Sequence, residues 1–105
     1  MPLPLIPLII AACAGAALGA VIVLVVLNWE RILNWFTGRE KLKNADRDHV
    51  AFTIQEKLAS GNVKTIQGIF NKRTNEIPDG IQYESETIDE RLAEIHHNEP
   101  LVIYE

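Results

Sequence analysis

The side chains able to do acid–base or ligand chemistry in this 105-residue chain are few: three histidines, one cysteine and a scatter of acids. His96 and His97 are the most suggestive pair. Neighbouring positions on a helix diverge by about 100°, so they do not chelate as an i, i+4 pair would. Glu94 and Glu99 stand close by, and a weak surface metal site is the most these four residues offer. A solvated helix C-terminus, where histidine complements the helix dipole, accounts for them better. His49 stands alone. Ser60 and Ser85 have no nucleophile-elbow context, and Gly61, Gly68 and Gly80 are too dispersed for a phosphate loop. No catalytic residue, metal or cofactor is expected, and the chain is read as a non-enzyme.

The elements that would position these residues lie in 49–105, which reads as a small α+β domain. His49 to Asn62 is ambiguous. Val50, Phe52 and Ile54 alternate as in a strand, but Gln, Glu, Lys, Leu and Ala favour a helix and Gly61 fits its C-cap, so a helix is expected. Val63 to Phe70 is rich in β-branched residues and reads as a strand. A polar turn over 71–76 leads to a second extended run, Ile77 to Ser85, whose Pro78-Asp79-Gly80 suggests a sheet edge. Thr87-Ile88-Asp89-Glu90 is a capping box that predicts a helix over 88–97. Leu101 to Tyr104 closes the domain as a strand. The expected core is a β-hairpin plus a helix plus a closing strand, with the sheet covered on one face.

Ahead of this domain lies Leu8 to Leu27, twenty residues without a charge. As a helix it would be about 30 Å long, the thickness of a bilayer's hydrocarbon core. The sequence therefore predicts a single N-terminal transmembrane α-helix over 8–27, after a short segment 1–7. Ile10-Ala11-Ala12-Cys13 imitates a lipoprotein box, but no basic n-region precedes it and the run stays apolar beyond it, so an uncleaved span is expected. The small residues Ala11, Gly15 and Gly19 fall in one i, i+4 row and Ala12 and Ala16 in the next, a surface for a second transmembrane helix from another copy or another protein. Residues 28–38 are expected to continue as an interfacial helix, with Trp29, Ile32, Leu33 and Phe36 on one face and Trp29, Trp35 and Phe36 at the headgroup level. Residues 39–48 read as a charged linker. Arg31, Arg39, Lys41, Lys43 and Arg47 follow the span directly, so the positive-inside rule places the 49–105 domain in the cytoplasm and the N-terminus outside.

Charge supports the same picture. Residues 28–73 hold nine Lys/Arg against five Asp/Glu, and residues 74–105 hold one against nine. A basic proximal half suits an anionic bilayer surface, and an acidic distal half argues against nucleic acid as a partner. Cys13 is the only cysteine, so no intramolecular disulfide is possible. The function expected from sequence is a membrane-anchored accessory or scaffold protein, with lipid and a transmembrane helix as partners and protein contacts made by its cytoplasmic domain. A self-associating holin or pore former is the alternative, and an enzyme stands behind both.

Overall fold

Val50, Phe52 and Ile54 alternate with His49, Ala51 and Thr53, and that period of two decides the local structure of the polar half. In the computed structural model, which describes residues 5–15, 18–97 and 99–104, this segment is a strand, His49–Lys57, and not the expected helix. Alternation outweighs helix propensity here because both faces of the strand are buried. The elements run α1 (Leu5–Gly15), β1 (Ile22–Leu27), α2 (Trp29–Thr37), α3 (Glu40–Asn44), β2 (His49–Lys57), β3 (Val63–Asn71), β4 (Glu76–Ile88), α4 (Glu90–His96) and β5 (Leu101–Tyr104). They form one five-stranded sheet in the order β1-β4-β3-β2-β5. β1 pairs with β4 in parallel, and the other three pairings are antiparallel.

The predicted transmembrane helix is not formed. Among the described residues no helix is long and apolar enough to cross a membrane. The uncharged run is divided instead between a short helix, α1, and a strand, β1, with Gly19 between them at φ +77°. The positive φ is open to glycine at no steric cost and turns the chain. Beyond it, Val21-Ile22-Val23-Leu24-Val25-Val26 is a β-branched run that pairs with β4 from Ile22↔Tyr83 to Leu27↔Ile88. Hydropathy alone cannot separate a lipid span from a core helix followed by a strand, and tertiary pairing decides between them. With the span goes the single-pass topology read from it, N-terminus outside and C-terminal domain cytoplasmic.

Both faces of the sheet are covered, where one was expected. On one face α1 brings Leu8, Ile9, Ala12 and Cys13 against Val50, Phe52, Ile66, Phe70 and Leu101. Gly68 and Gly80 stand opposite each other on this face. A Cβ at Gly68 would lie 3.0 Å from the Phe52 ring, and one at Gly80 would lie 2.7 Å from Leu18 Cδ2, so the glycines clear room for those two side chains. On the other face α2 lays Ile32 over Tyr83, Leu27 and Leu92, and Trp35 over Ala51 and Ile69. Gln67 reaches from β3 to donate to the Ile32 carbonyl at 2.7 Å and accepts from Tyr83 Oη at 3.0 Å, which fixes α2 on the sheet. Pro78-Asp79-Gly80 lies in β4 ahead of Tyr83, where the pairing with β1 begins, so among the described residues this stretch has β3 on one side and no strand on the other, the edge position that its proline suggests.

Helix boundaries also shift. Asn28 caps α2 by accepting from the Arg31 amide, and Gly38 follows its last residue. The capping box at Thr87 is not used: β4 extends to Ile88 and Asp89 is the N-cap of α4, accepting from the Leu92 amide at 2.8 Å. The segment expected as a linker holds α3 and is anchored by Arg73, whose guanidinium meets Asp46 at 2.8 Å and Asp48 at 3.3 Å. The Asp48 amide and Arg73 hold the Asp46 carboxyl below its ordinary range.

Candidate functional site

The two edges of the sheet are built differently. β5 is four residues long and is preceded by Pro100 and the exposed Glu99, features that discourage pairing with a foreign strand. β1 has none of these. It carries no charge and no proline, and among the described residues it pairs with β4 alone and no strand lies on its outer side. Ile22 and Leu24 turn toward the α2 face and join its core. Val23 and Val25 point the opposite way and remain 74% and 68% exposed, with Val21 and Val26 at 43% and 45%. α1 does not cover them: its core residues pack with Val50, Phe52, Ile66, Phe70, Leu101 and Ile77, and the part of β4 that carries Ile77 precedes the part paired with β1. Every second residue of such an edge presents an unpaired N–H and C=O outward. The arrangement can accept the backbone of a further strand.

A second feature lies between α2 and β5. Trp29, Leu33 and Phe36 wall an open groove of about 370 Å³ with Tyr104, and its floor is Ala51 and Ile69. The Tyr104 ring stands 5.7 Å from Trp29 and 5.3 Å from Phe36. Glu40 and Lys43 form the rim. The apolar face of α2 is rotated from the expected one: Trp35 is buried and Leu33 is exposed.

The residues singled out from sequence are distributed as follows. Ala11 and Ala12 lie on α1, Gly15 is its last residue, Gly19 is in the connection to β1, and Ala16 lies outside the described residues. The helix ends before the i, i+4 row can reach Gly19. Trp29 and Phe36 belong to the aromatic groove, and Trp35 is buried beneath Arg39, whose guanidinium carbon sits 4.0 Å from the ring centroid. Arg39 also meets Asp79 at 2.8 Å, clamping the end of α2 to β4. Arg31 and Lys41 are exposed, and Lys43 borders the groove.

Sequence reasoning treated His96 as a solvated side chain, yet it is buried and organises the C-terminal end of the domain. Its Nδ1 lies 2.9 Å from the Glu99 carbonyl, which can only accept, so Nδ1 carries the proton. Nε2 is then an acceptor, and Thr53 Oγ1 donates to it at 2.8 Å. Tyr104 Oη in turn donates to Thr53 Oγ1 at 2.7 Å. Burial keeps the His96 pKa below its ordinary value and raises that of Tyr104. A hydroxyl, an imidazole and an orienting carbonyl in line resemble a nucleophile relay, but Thr53 is fully buried and cannot meet a substrate. The relay is a tie between β2, α4 and β5. The signal available in the sequence is the i, i+4 spacing of His96 from Leu92. His97, by contrast, is exposed and closes α4 in the left-handed conformation at φ +42°.

Among the described residues no three His, Cys, Asp or Glu side chains converge on a point that could hold a metal. Burial pushes the Cys13 thiol up to about 11, a value at which it is not a nucleophile near neutrality. Ser85 Oγ is fully enclosed without a hydrogen-bond partner, between β1 and β3 and away from the described cavities. No family model, curated protein or solved structure matches the chain.

Proposed function

We propose that this chain is a non-catalytic protein-contact module whose β1 edge accepts an extended, uncharged, β-branched segment as an added strand. The observation that carries the reading is the asymmetry of the sheet, with the β5 edge short and guarded and the β1 edge uncharged and lined by exposed valines. Natural sheets blunt their edges with charge, proline or bulges, and an edge left bare is a template for pairing. Main-chain hydrogen bonds would supply affinity, and alternate side chains would supply selection: apolar residues beside Val23 and Val25, and no charge along the strand. The acidic C-terminal half argues against nucleic acid as the partner. The expectation of a scaffold role is retained in this form without a membrane anchor.

The test is residue-resolved amide exchange on the full chain, dilute, with and without a synthetic Val/Ile/Thr heptapeptide flanked by solubilising lysines. Outward-pointing amides within Ile22–Leu27 should gain protection, and Val25→Lys should remove the gain while leaving β2 and β3 protection intact. If no extended peptide alters exchange in β1, the edge is not a docking site and the reading fails.

A further inference from the structure

Resting on that docking reading, we infer that the strand accepted by β1 is β1 of a second copy, paired antiparallel about a twofold axis through Leu24. The chemistry demanded of the occupant is specific: six or so extended residues without charge, β-branched on the face that meets Val23 and Val25. Ile22-Val23-Leu24-Val25-Val26-Leu27 meets that demand itself. Among the described residues no other strand is uncharged along its length and also lies at an edge with six or so residues to offer. β2, β3 and β4 carry charged side chains and lie inside the sheet, and β5 is short and follows Pro100.

The twofold register keeps like with like. With Leu24 opposite Leu24 of the second copy, Val23 faces Val25 of the other chain and Ile22 faces Val26. Cross-strand pairs of β-branched residues are favourable, and both valines on the exposed face gain a neighbour. Each chain carries a formal charge of −4, yet no charged side chain lies on either β1, so the joint carries no direct repulsion. Pairing a strand with its own copy about a twofold closes the assembly at two. The guarded β5 edge blocks the β1-to-β5 contact that would run on into a filament. The result is one ten-stranded sheet across two copies.

The experiment uses the full chain in sedimentation equilibrium, together with register-specific disulfide trapping in a Cys13→Ser background. The wild type should sediment at twice the chain mass, and Val23→Lys with Val25→Lys should sediment at one chain mass with an unchanged far-ultraviolet spectrum. Copies carrying Val23→Cys mixed with copies carrying Val25→Cys should form a mixed disulfide several-fold faster than either forms with itself. A wild type that stays at one chain mass up to its solubility limit, while β1 amides still respond to the added peptide, overturns the second-copy inference and leaves strand docking standing. One chain mass with no peptide response overturns both. Co-flotation of a one-chain-mass protein with phosphatidylglycerol vesicles, lost in the lysine variant, also overturns the inference and assigns the valines to lipid. A dimer that survives the two lysines overturns it too, because the joint then lies elsewhere.

Discussion

Burial takes the His96 ring out of water, which penalises the charged imidazolium more than the neutral ring. The folded state therefore favours the neutral ring, and its pKa lies below the ordinary 6.5 although the Glu99 carbonyl favours the proton on Nδ1. Such a group contributes stability that is complete above the unfolded pKa and is lost as pH falls toward the folded one. The charged side chains lining the adjoining cleft, Glu56, Lys57 and Glu99, are of mixed sign. The urea midpoint of the wild type should thus decline as pH is lowered from about 7.5 to about 5.5. His96→Gln, which keeps a donor and an acceptor but cannot ionise in this range, should show a shallower decline. Parallel slopes for the two proteins would mean that the imidazole is not what links this domain to pH.

At the scale of elements, one carboxylate serves two helices. Asp89 Oδ1 accepts from the Leu92 amide in the first turn of α4, and Oδ2 accepts from the Trp29 amide in the first turn of α2 at 2.9 Å. Each is an orphan donor that no intrahelical carbonyl can reach. Asp89→Ala removes both caps at once and should lower stability by about 2 kcal/mol, roughly twice the usual single-cap cost, while Asp89→Asn should recover much of it. Chemical denaturation checks this, and a loss of well under 1 kcal/mol would show that water replaces the second cap. The same residue marks the limit of what the sequence made legible. Thr87-Ile88-Asp89-Glu90 correctly signalled a helix start, but the cap falls on Asp89 because β4 needs Thr87 and Ile88 to pair with Val26 and Leu27. β3, α2 and β5 were readable because their periodicity is local. β1 and β2 were not, since β1 becomes a strand only by pairing with β4, sixty-one residues further along the chain, and β2 only by lying buried between β3 and β5. The open edge was invisible for the same reason: an edge is a property of strand order.

At the scale of the molecule, the uncharged N-terminal run has been divided between two duties. Its first part forms the lid over one face of the sheet, and its second supplies the outermost strand. Ile9 is where the division can be tested, because it is fully buried against Val50, Phe52, Ile66, Phe70 and Leu101, all of which lie far along the chain from it. Ile10, one position on, is half exposed. A helix immersed in lipid would treat the two nearly alike, since lipid tails are as apolar as either side chain. A helix laid on a sheet cannot. Ile9→Ala deletes buried methyl groups and leaves a cavity, so it should cost about 2–5 kcal/mol, whereas Ile10→Ala should stay within about 0.5 kcal/mol. The loss should appear in the unfolding of the whole domain as one transition, because α1 shares its core with β2, β3 and β5. Equal and small effects at both positions would detach α1 from the sheet and remove the reason for its helix to end at Gly15.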